Sequence, residues 1–226
     1  MANILLGVTG SVAAIHTVRL FNELKQAGHA VKVVATRAAQ YFFDVAAVEP
    51  RNGKRNHDVV ILDEDEWRGH AAGLAYNRGD PVLHIELRRW ADILLIAPLD
   101  ANTLAKLANG LCDNCLTCVW RAWDRNRPVI LAPAMNTLMW ENPLTRRHLR
   151  QLADDGGTET VPHNIGLPQL VEWINESCPG LRIVQPIVKK LACEDIGVGA
   201  LAEQHDILDA VSRLSRPAHG VGETDF

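Results

Sequence analysis

Four short apolar runs punctuate the chain: Ile4 to Val8, Ala30 to Ala35, Ile93 to Ala97 and Val129 to Ala132. Each is rich in Val, Ile or Leu with little polar alternation, the pattern of strands buried on both faces. After the first run, Thr9-Gly10-Ser11 leads into a segment whose Ala14, Val18, Phe21 and Leu24 recur on one helical face. Ser11 reads as its N-cap and Gly28 as its stop. Ala101 to Trp123, between the last two runs, also carries helical spacing. Strand and helix therefore alternate, which predicts an α/β fold with a parallel sheet, right-handed crossovers and helices on both faces. Pro50 to Asp80 and Pro162 to Pro186 break the pattern and read as excursions from the core, the second with a short helix around Leu170 to Asn175. Residues 1–214 are expected to form one domain, with 162–186 an insertion and 215–226 a disordered tail.

Composition narrows the class without naming a function. The 226 residues are 47% hydrophobic and 22% charged, as in an ordinary globular domain. A net charge of −4 gives no sign of a nucleic-acid-binding surface. No apolar run reaches the roughly 18 residues of a membrane span. Five cysteines, an odd number without a signal sequence before them, point to reduced thiols and a cytoplasmic location.

Parallel sheets bind ligands beyond the carboxyl ends of their strands, so the residues just after each run are the candidates. Gly10, Ser11 and Val12 follow the first run, Thr36 and Arg37 the second, Asp100, Ala101, Asn102 and Thr103 the third, and Ala134 and Asn136 the fourth. Glycines at a strand-to-helix turn let backbone N–H groups face an anion. The same turn is equally compatible with binding nothing, and it is not the G-x-G-x-x-G dinucleotide fingerprint. Hydroxyls and amides converging on one rim favour a phosphate-bearing ligand. His84 starts a helical stretch, where the positive end of the dipole favours a neutral, proton-accepting imidazole, although a capping or surface histidine is the bland alternative. Cys193 follows Lys189 and Lys190, whose charges favour a thiolate, and precedes Gly197 and Gly199, which suit a hinged flap. A buried structural cysteine remains the alternative.

Two tempting motifs are discounted. Cys112, Cys115 and Cys118 lack a fourth donor close by, so they read as buried helix thiols and no metal is expected. The run Asp63-Glu64-Asp65-Glu66 reads as a solvated charged face rather than a cation site.

Taken together, GVTGSVAA at 7–14, DEDEW at 63–67, the segment 80–114, RAWD at 121–124, PAMNTLMW at 133–140 and KKLAC at 189–193 resemble the flavin-dependent cysteine decarboxylases. Within them the likeness is to the group acting on 4′-phosphopantothenoylcysteine. Cys115 departs from the pattern, standing where the family has an apolar residue. The resemblance implies a Rossmann-like (flavodoxin-like) fold and a homotrimer with sites between subunits. It also implies FMN-dependent conversion of 4′-phosphopantothenoylcysteine to 4′-phosphopantetheine in coenzyme A synthesis, through a thioaldehyde and an enethiol. By the family's pattern His84 is the acid/base, Asn136 holds the substrate carboxylate and Cys193 donates a proton. Gly10, Ser11, Val12, Thr36, Arg37, Asp100, Ala101, Asn102, Thr103 and Ala134 would hold FMN; Arg89, Lys190, Leu191 and Ala192 would join Asn136 on the substrate. The same fold family allows three other roles: a non-catalytic phosphatase-regulating subunit, a peptidyl-cysteine decarboxylase and a flavin prenyltransferase. KKLAC and the segment around His84 favour the pantothenate-derived substrate.

Overall fold

The apolar runs become the centre of a six-stranded parallel sheet, and its edges come from the two stretches expected to leave the core. The computed structural model describes residues 1–67, 69, 73–156, 160–190 and 196–215. In chain order the sheet contains β1 (Asn3–Val8), β2 (Ala30–Ala35), β3 (Val60–Leu62), β4 (Ile93–Leu99), β5 (Val129–Pro133) and β6 (Leu181–Ile183). Their spatial order is β3-β2-β1-β4-β5-β6, all neighbours parallel. This is the doubly wound order in which the winding reverses between β1 and β4. β4 lies at the middle and is buried at every position, which explains its unbroken apolar sequence.

The helices divide between the two faces. α1 (Thr17–Gln26) and α8 (Gln204–Leu214) pack Leu20, Phe21, Leu24, Ile207 and Val211 against Leu6, Val33 and Leu95. On the opposite face, α2 (Leu83–Trp90), α3 (Ala101–Asn109), α4 (Cys115–Arg121), α6 (Pro143–Gly156) and α7 (Leu167–Ser177) cover Leu5, Val34, Leu94 and Leu131. A single turn, α5 (Thr137–Trp140), follows β5. An antiparallel ribbon, β7 (Ile187–Lys190) and β8 (Ile196–Ala200), leads from β6 into α8.

Several sequence expectations are corrected. The segment 50–80 supplies β3 and 162–186 supplies both α7 and β6, so neither stretch is wholly an excursion from the core. Three-residue edge strands are too short to show a period, which is why they were illegible. The helix expected from Ala101 to Trp123 is two helices. Gly110, at φ 69°, ends α3 in the left-handed region, and Asn114 restarts α4 by accepting the Thr117 N–H at 2.9 Å. Cys112 is consequently exposed between the helices, Cys115 is buried and Cys118 is half-buried. Ser215 closes α8 by donating to the Val211 carbonyl at 2.7 Å; the remainder of the expected tail, 216–226, lies outside the described residues.

Candidate active site

The switch point between β1 and β4 is closed by one buried hydroxyl. Thr9, fully buried, donates to the Pro98 carbonyl at 2.8 Å and accepts the Asp100 N–H at 2.7 Å. It thereby ties the loop after β1 to the loop after β4. Asp100 caps α3 by accepting the Thr103 N–H at 2.6 Å. Gly10 fits between these loops because a Cβ there would lie 2.7 Å from Ala38 Cβ and 3.1 Å from Asp100 Oδ2. Ser11 accepts the Ala13 N–H at 3.3 Å and starts the short helical turn over Val12–His16.

Above this junction lies a cavity of about 970 Å³. Of the residues anticipated from sequence, Gly10, Ser11, Val12, Asp100, Ala101, Ala134 and Asn136 line it. Among the described residues, the N–H groups of Gly10, Val12 and Ala101 have no acceptor within the chain. Three backbone donors around a junction are suited to an anionic group such as a phosphate. Phe42, Met135, Met139 and Leu208 give the cavity its apolar walls, and His16 and Arg19 add polar edges. Sequence reasoning missed these residues. Met135 and Met139 fall within PAMNTLMW, where only Ala134 and Asn136 were singled out; Phe42, Leu208, His16 and Arg19 lie outside the quoted motifs. A smaller cavity of about 280 Å³, near the starts of β5 and β6, holds none of the anticipated residues.

The remaining cofactor candidates are used differently. Thr36 is buried and accepts the Ala39 N–H at 3.3 Å, while the Arg37 N–H donates to Asp63 Oδ2 at 3.0 Å. Thr103 is buried in α3; Asn102 and Arg37 are exposed at the rim. None of these four lines the cavity.

Asn136 caps α5 by accepting the Leu138 N–H at 2.9 Å. Its loop is clamped by β8, where the Met135 N–H donates to the Gly199 carbonyl at 2.9 Å. A Cβ on Gly199 would strike the Met135 carbonyl and one on Gly197 the Thr137 side chain. These glycines are therefore close-packing positions rather than the hinges expected of them. The connection from β7 to β8 holds Leu191, Ala192 and Cys193, which lie outside the described residues, as does the Lys190 side chain.

His84 does not meet Asn136 within one chain. It is the second residue of α2, on the sheet face opposite α1 and α8, and it is absent from the cavity wall. Arg89 is exposed on the same helix. His84 Nδ1 lies 2.5 Å from Glu66 Oε1, with the His84 side chain 19% exposed and Glu66 only 4%. The acidic run is thus no solvated face: Glu64 alone is exposed, Glu66 is buried, and Asp65 takes a two-pronged Arg55 guanidinium at 2.8 and 3.0 Å. Burial holds the Asp63 carboxyl above its usual range, against the opposing pull of the Arg37 and Cys115 N–H groups. The run lost its expected exposure because β3 delivers it directly beneath α2.

A family model described as Flavoprotein matches residues 1–216. The chain belongs to the Flavoprotein family. Within this family, phosphopantothenoylcysteine decarboxylase of Oryza sativa subsp. japonica is 43% identical over 212 residues, covering 94% of this chain and 80% of the rice protein. A solved mutant of PPC decarboxylase complexed with pantothenoylaminoethenethiol superposes with a TM-score of 0.72 at 42% identity, covering 94% of this chain and 97% of that one. The FMN binding protein AtHal3 gives a TM-score of 0.69 at 42% identity, with 95% and 96% covered. The flavoprotein assignment agrees with the cavity, whose unpaired N–H groups and apolar walls fit an FMN phosphate and ring respectively.

Proposed function

We propose that this chain is an FMN-dependent decarboxylase that converts 4′-phosphopantothenoylcysteine to 4′-phosphopantetheine in coenzyme A synthesis. It would work in the cytoplasm as a homotrimer, with residues 1–214 as one domain. The carrying observation is the cavity over the β1–β4 switch point, with phosphate-compatible N–H groups beside apolar walls, in a chain 43% identical to a relative bearing that decarboxylase name. Gly10, Ser11, Val12, Asp100, Ala101 and Ala134 would hold FMN there, with Thr36, Arg37, Asn102 and Thr103 shaping the rim. When bound, FMN would supply a hydride acceptor for the substrate's cysteine, giving a thioaldehyde beta to the carboxylate from which CO2 departs as from a β-keto acid, and would return that hydride to the enethiol so that no net oxidation occurs.

The chain's own residues orient the substrate and move its protons. Asn136 binds the carboxylate through a neutral amide, without the ground-state stabilisation that a cation would add and that would oppose CO2 loss. His84 holds the proton of the substrate thiol. Cys193 donates a proton to the enethiol carbon, with Lys190, Leu191 and Ala192 around the substrate and Arg89 at its other end. A mutant of a structural neighbour holds an enethiol, which makes this a species that can persist on the fold.

His84 and the cavity occupy opposite faces of one sheet, so the reading has a neighbouring copy bring its His84 to Asn136. Val12, Ile15 and Met139 on the cavity wall, and Leu138 and Val188 beside it, are exposed apolar side chains that such a neighbour would cover.

The test is incubation of the purified, FMN-loaded protein with 4′-phosphopantothenoylcysteine, with a peptide ending in cysteine as the rival substrate. Stoichiometric CO2 and 4′-phosphopantetheine are expected. No product, or a preference for the peptide, would sink the proposal.

A further inference from the structure

We propose that Glu66 is a positioning residue for the reaction: its buried carboxylate accepts a hydrogen bond from the Nδ1–H of His84 and leaves Nε2 as the atom that accepts the substrate's proton. This rests on the acid/base role given to His84 above. A carboxylate can only accept, so a hydrogen bond at 2.5 Å between Glu66 Oε1 and His84 Nδ1 fixes the hydrogen on Nδ1. Among the described residues, Nε2 has no partner, and it is the ring atom left for chemistry. When Nε2 takes a proton, the adjacent carboxylate stabilises the imidazolium that forms. This is the base-and-orienter arrangement of acyl-transfer triads, here serving a different reaction.

The support beneath Glu66 is stiff. Glu66 follows a helical turn over Asp63–Asp65, and its N–H donates to the Asp63 carbonyl at 3.3 Å. Asp65 anchors that turn by holding Arg55 on two prongs and accepting the Leu62 N–H at 2.8 Å. From the other side, α4 presents the Cys115 thiol to Glu66. Burial first, and the Glu66 charge second, raise that thiol far above the ordinary range, so it stays protonated beside the carboxylate. Among the described residues, Glu66 Oε2 is buried with no hydrogen-bond partner, so the buried carboxylate depends on the His84 ring at Oε1, because a buried charge left wholly unpaired is strongly destabilising.

The experiment uses the FMN-loaded protein with ¹⁵N-labelled histidine. Comparison with a His84→Asn sample assigns the His84 ring signals. In the wild type the neutral ring should show a protonated Nδ1 and a bare Nε2. Glu66→Gln should keep FMN and KM within about threefold while lowering kcat roughly 10- to 10³-fold. A merely structural Glu66 would change FMN retention or melting temperature and leave this kcat-only signature absent. An Nε2-protonated ring in the wild type would overturn the proposal, and so would kcat within about threefold of wild type in Glu66→Gln. If Glu66→Gln fails to hold FMN, the wild-type tautomer alone decides. The ring spectrum needs no turnover, so a protein inactive on the proposed substrate but showing the Nδ1-protonated ring would count against the substrate assignment and not against the Glu66–His84 pair.

Discussion

The cavity over the β1–β4 junction and the Glu66–His84 corner, which the proposed mechanism joins in one reaction, are built on opposite principles. The cavity is concave, apolar and lined by backbone donors, and its shape comes from glycines and a buried threonine that bring two loops together. The corner is a buried carboxylate against a largely buried imidazole on the far side of the sheet, held by a turn and a two-pronged arginine. Neither is sufficient alone on the proposed mechanism: His84 is not among the residues that line the cavity, and Glu66 and His84 do not border it. The difference teaches that a doubly wound sheet places its ligand cavity beyond the strand ends at the switch point, and that the role proposed for His84, on the far face, requires a neighbouring copy to bring it there.

The largest expected effect separates the two regions directly. His84→Asn should retain FMN, because its contacts are in the cavity, while losing turnover by about 10²- to 10⁴-fold, the usual range for removal of a general acid or base. Absorbance of the purified protein and steady-state assay read the two properties independently. A colourless His84→Asn protein, or one with near-normal turnover, would break the division of labour.

Complementation sharpens it. Chains carrying His84→Asn and chains carrying Asn136→Ala should each be inactive, yet coexpressed at equal amounts they should recover about a quarter of wild-type activity. That fraction is the share of randomly mixed interfaces that unite an intact His84 with an intact Asn136. No recovery would place both residues in one chain's site.

A smaller effect probes how the cavity is held. Thr9→Val keeps the side chain's shape but removes the acceptor for the Asp100 N–H and the donor to the Pro98 carbonyl. A loss of about 1 to 3 kcal/mol in stability is expected, by chemical denaturation, together with weaker FMN retention. The Glu66–His84 ring signals should not move, because that corner shares no hydrogen bond with Thr9.

The smallest effect concerns charge at the corner. Burial first and the Glu66 carboxylate second push the Cys118 thiol up to about 11, so near pH 8 only about one molecule in a thousand carries the thiolate. Exposed Cys112 should therefore be alkylated well before Cys118. Glu66→Gln should speed Cys118 labelling modestly without altering the cavity's FMN, and an unchanged rate would show that the Glu66 charge is not felt there.

The sequence by itself determined the central strands, the α/β alternation and the ring of residues beyond the strand ends, because both-face burial and turn chemistry are local requirements written in consecutive residues. Gly10, Ser11, Val12, Asp100, Ala101, Ala134 and Asn136 were legible for that reason, and they do meet in one cavity. Only the tertiary structure decided three other matters. It turned short stretches near Val60 and Leu181 into sheet edges, since three residues carry no period. It made Gly197 and Gly199 packing positions, since what a Cβ would strike belongs to a loop some 60 residues earlier in the chain. It buried Glu66 against His84, 18 residues apart, because whether an acidic run faces water depends on which helix comes to lie over it, and no local pattern encodes that.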